Sequence, residues 1–476
     1  MKIVLVNPPS FRFGYYLTEP VPPLGLLYLS QYAMDDGHTV EIIDIPTMRW
    51  SVKKIVKIFR DLDCDLIGFS ANIFTLREAY SLIKLTRLFH PTIKIVVGGP
   101  CSVYPNESIL EIIKEMDYFI RGDGEIPFQM LCRALEGKIH LDQIPNLTYR
   151  LPTGEIIKNN QTYLTDLSSI PFPPLHLINL KDYVLHPPYL RKKPFMIVQT
   201  SRGCPYNCSF CVVRQNYRRR SLESVINEIS KLKTEHGVKE IYFCDPSFTS
   251  DPNFVIDLCK EMIKRNLIMP WTCKSRIDNV PEKMLKYMKN AGCYLIAFGA
   301  ESGDAAVLKA INKHIEPEDI ARTIKRCRKI GILSLLYFMV GNPRESERSL
   351  RITERFLYDN IPDFAIFAPV LPLPDTQIVE DPVLKKYNYE EQLNHAIFSL
   401  KPPKWPIYIP EGMTEDQVLY WVSRLQRNQF FNPKYLWHRI IHLNSLTEFL
   451  VYVKGMLKLI KELVQNGIKR IIYRNK

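Results

Sequence analysis

Two series of alternating apolar and helical segments constrain the fold of this chain more than any other feature. The first series fills about 135 residues and contains the runs KIVLVNPP, TVEIIDIP, DLIGFSAN, IKIVVGGP and DYFIRGDG, with helical patterns between them. Continuously apolar strands are typical of parallel sheets, because crossover helices cover both faces of such a sheet. The series predicts a doubly wound, Rossmann-like α/β domain over residues 1–136, with its ligand site at the carboxyl ends of the strands.

A second series of the same kind predicts a separate domain over residues 194–385. Its strand candidates are FMIVQT, EIYFCD, WTCKSR, YLIAFGAE, SLLYFMVG and AIFAPVLPL, again with helical stretches between them. Six units are too few for a closed eight-fold barrel. We therefore expect a partial (β/α)6 TIM-type barrel. Residues 137–193 are rich in proline without clear periodicity and are interpreted as a connecting segment.

The C-terminal region, residues 386–476, loses the β/α rhythm and is predicted to be mostly helical and basic. Residues 430–476 carry nine Lys or Arg and two Glu, a net +7 out of +13 for the chain. Within residues 445–464, apolar positions recur at helical spacing with lysines between them, which predicts an amphipathic helix. Such a helix either packs on the barrel or lies on an anionic membrane surface.

The termini and the cysteine content predict a cytoplasmic protein. The N-terminus MKIVLVNPPS lacks the long apolar region and the cleavage site of a signal peptide. No apolar stretch reaches the roughly 18–20 residues that cross a bilayer. Eleven cysteines in such a chain indicate buried thiols and a metal site more than a disulfide framework.

One cysteine motif, SRGCPYNCSFC, carries the chemistry. Its thiols Cys204, Cys208 and Cys211 are spaced so that one loop can bind three corners of an iron–sulfur cube. Such clusters usually take four cysteines, so a three-cysteine loop leaves one iron for an external ligand. Structural zinc and an electron-transfer ferredoxin are the alternatives, but either would want a fourth ligand nearby, and none follows within ten residues of Cys211.

This loop, placed after the first strand of a β/α series, resembles the radical S-adenosylmethionine (SAM) superfamily. The resemblance implies a [4Fe-4S] cluster on the three cysteines, and SAM bound at the strand ends. It also implies SAM contacts at six positions: Phe210, Asp245, Arg276, Glu301, Ser302 and Gly341. Two departures from the family pattern are Pro246, where a second acidic residue is common, and Asp375, where glycine is usual.

The N-terminal series is similar to the cobalamin-binding class of that superfamily. The supporting strings are NPP, PPLGLLYLSQYAMDDGH, DLIGFSAN, VVGGP and RGDGE. They imply a cobalamin site at the strand ends, with contacts at Pro8, Ser70, Gly98, Gly99, Gly122 and Asp123. The DxHxxG signature of other cobalamin proteins is absent. We therefore expect cobalt without an axial histidine from the protein.

The resemblance implies an enzyme that cleaves SAM reductively to a 5′-deoxyadenosyl radical and, with cobalamin, methylates an unactivated carbon. Radical cyclisation or rearrangement is an alternative, as is a tRNA methylthiotransferase, which would need a second cluster on Cys64, Cys101 and Cys132. Those thiols are expected on different parts of the sheet and not at one site. A non-enzymatic cluster or cobalamin sensor is a further alternative.

The expected partners follow from this chemistry. A reducing partner such as ferredoxin or flavodoxin would deliver the electron. The substrate is expected to be a small molecule, and we hypothesise a hydrophobic or lipid-like one met at a membrane surface through the basic C-terminal helix. Nucleic acid is not expected as a partner.

Overall fold

The first sheet has seven strands in a doubly wound arrangement. The computed structural model describes residues 1–9, 20–48, 51–100, 106–185, 189–213, 215–398, 405–431, 433–435 and 437. The strands are β1 (Lys2–Asn7), β2 (Thr39–Asp44), β3 (Leu66–Ser70), β4 (Lys94–Gly98), β5 (Tyr118–Ile120), β6 (Leu147–Arg150) and β7 (Ile156–Lys158). Their order is β2-β1-β3-β4-β5-β6-β7. Strands β1 to β5 run parallel, and β6 and β7 are antiparallel additions.

Five helices accompany this sheet: α1 (Leu24–Asp35), α2 (Val52–Arg60), α3 (Leu76–Phe89), α4 (Asn106–Ile112) and α5 (Glu125–Leu135). Alternate residues of β1 enter two different cores, since Ile3 and Leu5 pack with α1 and α5 residues while Val4 and Val6 pack with α3 residues. The predicted doubly wound sheet is confirmed. It continues past residue 136, because β6 and β7 come from the segment interpreted as a connection.

The second sheet is an open barrel of six parallel strands. After β8 (Phe195–Val198), a hairpin of β9 (Ser201–Cys204) and β10 (Gln215–Arg219) interrupts the series. The sheet then continues with β11 (Glu240–Phe243), β12 (Trp271–Arg276), β13 (Cys293–Glu301), β14 (Leu333–Val340) and β15 (Phe364–Pro369). Their order, β15-β14-β13-β12-β11-β8, follows the chain and confirms the predicted partial barrel.

The remaining helices cover the barrel and its C-terminal side. They are α6 (Leu222–Thr234), α7 (Pro252–Lys264), α8 (Glu282–Asn290), α9 (Ala305–Ala310), α10 (Pro317–Ile330), α11 (Glu347–Asp359), α12 (Pro382–Lys385), α13 (Tyr389–Phe398) and α14 (Glu415–Phe431). Local sequence sets their ends. Asp251 caps α7 by accepting a hydrogen bond from the Phe254 amide, and Gly331 ends α10 in a left-handed conformation.

One continuous apolar core joins the two sheets. It contains Leu24 and Tyr28 of α1 together with Val225 and Ile229 of α6, which belongs to the barrel. Because the carboxyl ends of β3 and β4 border the same cavity as Ile197 of β8, the ligand-binding edge of the first sheet faces the barrel. This juxtaposition places both candidate sites next to each other.

Candidate active site at the junction of the two sheets

The three motif cysteines lie on the β9–β10 hairpin, Cys204 at the end of β9 and Cys208 and Cys211 in the loop that follows. Antiparallel pairing aligns Cys204 with Gln215 and Arg202 with Arg218, which closes the loop that carries Cys208 and Cys211. Cys208 is buried, whereas Cys204 and Cys211 are partly exposed. The hairpin therefore presents three thiols on one short, anchored loop. Their assignment as cluster ligands stays a prediction.

Two cations from the barrel approach these thiols. The guanidinium of Arg276 lies over the ring of Tyr206 at 4.0 Å, and its Nη1 is 3.5 Å from Cys208 Sγ. Burial raises the pKa of the Cys204 and Cys211 thiols, and the charge of Lys313 opposes that rise at both. Positive charge next to the loop stabilises thiolate, which is the form that binds metal.

The donor set, three thiols on one hairpin, is of the kind that binds an iron–sulfur cluster. Among the described residues, no three His, Cys, Asp or Glu side chains converge as ligands of one ion would. Cysteines of a [4Fe-4S] cubane each bind a different iron atom, so their sulfur atoms need not share one centre. Three thiols on one loop with adjacent cations match that requirement.

A buried ion pair lies beside the loop at the end of β13. Lys313 Nζ is 2.9 Å from Glu301 Oε1, and both side chains are less than a tenth exposed. Lys313 also lies 5.9 Å from the ring centroid of Phe210, which precedes Cys211. A Cβ at Gly299 would come within 2.3 Å of Glu301 Oε1 and 2.9 Å of Lys313 Nζ, so a larger residue there would displace the ends of both side chains. Glu301 itself has a φ of +66°, a strained conformation for a residue with a side chain.

Three of the six predicted SAM contacts thus lie on or around the cysteine loop: Phe210, Arg276 and Glu301. The other three lie elsewhere. Asp245 is fully buried and accepts hydrogen bonds from Thr200 Oγ1 at 2.7 Å and Ser201 Oγ at 2.6 Å, which anchors the start of β9. Burial raises the pKa of this carboxyl, and those hydroxyl donors oppose the rise.

Ser302 and Gly341 pack against the outer elements. Ser302 Oγ lies 3.2 Å from Thr353 Oγ1 of α11. A Cβ at Gly341 would be 2.8 Å from the Tyr408 carbonyl, so this glycine makes room for the C-terminal segment. Any contact of Asp245, Ser302 or Gly341 with SAM stays a prediction.

A cavity with roughly 1140 Å³ of empty space, partly open to solvent, lies between the two sheets. Five of the six residues predicted to contact cobalamin line it, together with apolar side chains of α1: Ser70, Gly98, Gly99, Gly122 and Asp123. Their contact with cobalamin stays a prediction. Glycines at the strand ends allow close backbone approach to a ligand. Pro8, by contrast, is buried after β1 and does not line this cavity.

The cavity fits a large, weakly polar ligand. Most of its lining residues are glycine or apolar, and no histidine is present among the described residues that line it. That the cobalt has no axial histidine from the protein stays a prediction. On the barrel side the cavity is bordered by Ile197, Gln199 and Cys244.

Asp123, the sixth predicted cobalamin contact, joins the first sheet to the cysteine hairpin. Its carboxylate accepts hydrogen bonds from Arg202 at 2.9 Å, from Arg218 and from the Leu164 amide at 2.9 Å. Glu125 binds the same Arg202 at 2.5 Å. Arg202 and Arg218 stand opposite each other on β9 and β10, where like charges repel. The two carboxylates relieve that repulsion, and we name this group the arginine clamp (Asp123, Glu125, Arg202, Arg218).

Electrostatics support the clamp. Burial raises the pKa of the Asp123 carboxyl, but the hydrogen bond from Arg218 and the charge of Arg202 outweigh it, so the pKa lies below its usual value. Burial also opposes the charge on Arg202, yet Glu125 and Asp123 hold its pKa above the usual value. All these shifts favour the ionised pairs.

Two cysteines of the first domain, Cys64 and Cys132, occupy opposite sides of its sheet. Cys132 belongs to the core between α1 and α5, whereas Cys64 packs against the core on the other face. Cys101 lies outside the described residues. Burial raises the pKa of both Cys64 and Cys132 to about 12. Cys64 and Cys132 are therefore not brought together.

Comparison with known proteins identifies the family. A family model described as "Radical SAM superfamily" matches residues 198–357, and one described as "B12 binding domain" matches residues 16–131. An uncharacterised methyltransferase of Pyrococcus horikoshii is 32% identical over 92% of this chain and 94% of that protein. The chain belongs to the radical SAM superfamily.

This radical SAM enzyme has further relatives of similar extent. The anaerobic magnesium-protoporphyrin IX monomethyl ester cyclase of Cereibacter sphaeroides is 28% identical, over 92% of this chain and 71% of that protein. The solved structure of the radical SAM methyltransferase TsrM from Kitasatospora setae, with cobalamin and [4Fe-4S] cluster bound, has a TM-score of 0.65. It is 18% identical and covers 91% of this chain and 86% of that chain, so the two share a fold.

The two family matches give this radical SAM enzyme its cofactors. The superfamily match implies a [4Fe-4S] cluster and SAM, and the B12 domain implies cobalamin. The matched ranges include the cysteine hairpin with β11 to β14 of the barrel, and the glycine-rich side of the cavity.

Sequence patterns did not reveal several site residues of this radical SAM enzyme. Lys313 lies in a turn without a recognisable motif, and only its distance from Glu301 in space shows its place. Arg202 was noted as part of the motif, but its partners are 79 and 77 residues away in the chain. Asp123 could be predicted from the sequence, because it is an acidic residue directly after a predicted strand.

The structure describes only part of the C-terminal region that was predicted to be helical and basic. No helix among the described residues is long and apolar enough to cross a membrane. Helix α14 packs on the barrel edge, where Gln429 exchanges two hydrogen bonds with the backbone of Ala365 at 3.0 and 2.8 Å. The amphipathic stretch 445–464 lies outside the described residues.

Proposed function

We propose that this enzyme transfers a methyl group to an unactivated carbon of a small molecule in a cobalamin-dependent reaction. One observation carries the proposal: the glycine-rich cavity of the B12 domain opens toward the barrel, and the arginine clamp ties that domain to the cysteine hairpin two residues before Cys204. Methylation of a carbon radical requires the methyl source and the radical source to meet at one substrate.

The bound cofactors would supply an electron from the cluster, a 5′-deoxyadenosyl radical from SAM and a methyl group from cobalamin. The chain itself supplies position and charge. Cys204, Cys208 and Cys211 would hold the cluster. Ser70, Gly98, Gly99 and Gly122 would form the rim that receives cobalamin, with Asp123 fixing the rim to the hairpin.

The barrel residues next to the cluster loop would orient SAM. Arg276 is fixed by Asp278 at 3.0 Å and by the Lys313 carbonyl at 2.6 Å, so its guanidinium has a defined position over Tyr206. The Glu301–Lys313 pair offers both charges in a buried place. SAM carries an ammonium and a carboxylate, which such a pair can complement.

Two observations favour different outcomes within this chemistry. The relative in Pyrococcus horikoshii is named a methyltransferase, and the one in Cereibacter sphaeroides is named a cyclase. The higher identity and fuller coverage of the first favour methyl transfer. Radical cyclisation is retained as the second candidate, since the cyclase relative spans most of the chain.

Reconstituted enzyme with cluster, cobalamin, reductant and SAM labelled on its methyl group tests the proposal. Methyl transfer should place the label on cobalamin and release both S-adenosylhomocysteine and 5′-deoxyadenosine. A cyclase should give 5′-deoxyadenosine with no labelled cobalamin. If neither S-adenosylhomocysteine nor 5′-deoxyadenosine forms, the proposal of an enzyme fails and the non-enzymatic sensor takes its place.

A spectroscopic test addresses the cobalt ligand. The cavity-lining residues that the structure describes include no histidine, so the reduced Co(II) protein should show no nitrogen hyperfine splitting from an imidazole. Observation of that splitting would contradict the proposed binding mode.

We also propose that a ferredoxin or flavodoxin delivers the electron and that the substrate is hydrophobic or lipid-like. Residues 430–476 carry the basic excess that would contact anionic lipid, at about 1 kcal/mol per Lys or Arg near the surface. Sedimentation with anionic vesicles tests this, using the full chain and a variant ending after Trp437, which keeps the described α14 contacts. Equal binding of the two would sink the membrane proposal.

A further inference from the structure

Lys274 is exposed in the middle of a central barrel strand. On β12, Trp271 and Cys273 are fully buried in the core under the helices, and Ser275 Oγ faces Thr249. The alternate residues Thr272, Lys274 and Arg276 therefore point to the opposite face, into the barrel. Arg276 on this face reaches the cysteine loop. Lys274 lies two residues back, about 7 Å along the strand.

Tyrosines surround Lys274 inside the barrel. Its Nζ is 5.9 Å from the ring centroid of Tyr242 on the neighbouring strand β11. Tyr242 in turn lies 6.4 Å from the ring of Tyr189, whose hydroxyl contacts that of Tyr337 on β14. Lys274 is near enough to both Tyr337 and Cys244 for its charge to oppose the burial that raises the pKa of each. The ammonium of Lys274 thus lies next to a chain of three tyrosines, of which Tyr242 is 5.9 Å away.

The space next to Lys274 is left open by small residues. Its partner in register on β13 is Ala297, and the next residue on the same face is Gly299. Strand β12 lies between β11 and β13 in the sheet. Lys274 on its inner face can therefore be exposed only if the interior of the barrel is open at that level.

No carboxylate among the described residues pairs with this ammonium. The acids on the same face already have partners. Glu240 accepts hydrogen bonds from Tyr294 Oη at 2.6 Å and from the amides of Arg191 and Lys192. Glu301 is paired with Lys313. Lys274 is the one lysine on the described barrel strands, and its unpaired charge is available to a ligand.

Resting on the proposed function, we propose that Lys274 binds an anionic group, carboxylate or phosphate, of the substrate, while Tyr189, Tyr242 and Tyr337 hold its aromatic or apolar body. The position suits this role. Arg276 on the same strand leads to the cysteine loop, and Cys244, close to Lys274, borders the cavity of the B12 domain. A substrate anchored at Lys274 lies between the two cofactor sites.

Equilibrium dialysis of the cluster-reconstituted full chain tests this with three probes that share one ring system: 2-naphthoate, 2-naphthyl phosphate and the neutral 2-naphthalenemethanol. The wild type should bind one or both anions at least tenfold more tightly than the alcohol, and the preferred anion distinguishes carboxylate from phosphate. K274M should lose that preference, since a charge-assisted hydrogen bond accounts for roughly a tenfold effect or more. Binding of the alcohol should stay within about twofold.

Two further variants separate charge from folding. K274R should keep the preference for anions. K231M removes a lysine that also lies over an aromatic ring, Phe172 at 5.4 Å, but on the outer helix α6, and should bind all probes as the wild type does. Equal anion binding by K274M and wild type, or a wild type without anion preference, overturns the inference.

The proposed function is tested separately. Wild type and K231M, whose change lies on the outer helix α6, should both release 5′-deoxyadenosine from SAM under reduction without substrate. If the wild type releases none, the proposed function fails while the dialysis result still reports on the anion site.

Discussion

The two sheets present opposite kinds of surface at the edge where they meet. The edge of the first sheet is built from glycine, Ser70 and apolar side chains, and its acids are neutralised by arginines from the hairpin. The barrel edge carries charges in pairs, such as the buried Lys313 with Glu301, and the buried Arg276 with the partly exposed Asp278. The first surface suits recognition by shape and backbone, and the second suits orientation of a small charged ligand.

The cysteine hairpin contacts both of these surfaces. Its loop carries the cysteines toward the barrel charges, while Arg202 and Arg218 on its strands reach the first sheet. Changes to the loop should therefore affect chemistry, and changes to its strands should affect the attachment of the two sheets.

The largest effect is expected on the loop itself. Cys208→Ala should abolish the cluster and reductive SAM cleavage, because three thiols are the minimum set for three corners of the cube. Iron content and visible absorbance of anaerobically purified protein measure this. Cys64→Ala, a thiol on the far side of the first sheet, is the control and should keep both. A C208A variant with a full complement of iron contradicts the ligand assignment.

On the hairpin strands, Arg202→Met should lower the free energy of unfolding by about 3–5 kcal/mol, because it leaves Glu125 and part of Asp123 as buried charges without a partner. Urea unfolding followed by circular dichroism measures it. Arg219→Met is the matched control, since Arg219 pairs with Asp251 at a position about one third exposed and should cost at most about 1 kcal/mol. Equal losses in R202M and R219M would show that the clamp does not join the sheets.

The two regions should also respond to pH with opposite sign. The pKa of Asp123 in the clamp is lowered, so its contribution is full above the unfolded value of 3.8 and is lost as the pH falls through the lower folded value. Glu345, behind the barrel edge, differs. Burial raises its pKa from 4.5 to about 7, although the amides of Gly341 and Asn342 oppose the rise.

Between pH 4.5 and about 7 the folded chain therefore keeps a proton on Glu345 that the unfolded chain has lost, so stability falls as the pH rises through this window and levels off above it. The change should amount to about 3 kcal/mol. Glu345→Gln should flatten the slope, measured by urea unfolding at half-unit steps of pH. A slope that is the same in E345Q assigns the pH dependence to another group.

The smallest expected effect lies at the glycine rim. Gly99→Ala places a methyl group 3.0 Å from the Ala71 carbonyl at a φ of +94°, which should cost roughly 1–3 kcal/mol and reduce cobalamin retention. Gly154→Ala has a φ of +90° and no neighbour within 4 Å, so it isolates the strain of the backbone alone. If both variants lose the same stability and retain cobalamin equally, the rim is not tightly packed.

Continuous apolar strands made the architecture predictable. Runs such as LIGFS and LSLLYFMV become buried parallel strands, because strands that are apolar on both faces need helices on both sides of their sheet. The strands β6 and β7 escaped prediction because LTYR and IIK are short, mixed in polarity and surrounded by proline and polar residues.

The candidate site was predictable where chemistry is local and not where it depends on distant partners. The cysteine spacing alone points to Cys204, Cys208 and Cys211. The pairing of Lys313 with Glu301, and of Arg202 with Asp123, arises only when strands from different parts of the chain meet. Lys274 was missed for another reason: a lone lysine in a strand has the same pattern whether it faces solvent or an open barrel.

The strands that extend the first sheet have a practical consequence for dividing the chain. A fragment ending near residue 136 would expose the side of β5 that β6 covers, and it would lack Leu164, whose amide binds Asp123. Asn146 further ties this stretch together by accepting from the Thr162 amide at 2.6 Å. An isolated B12 domain should therefore extend at least through residue 164, since an earlier cut creates an open sheet edge prone to self-association.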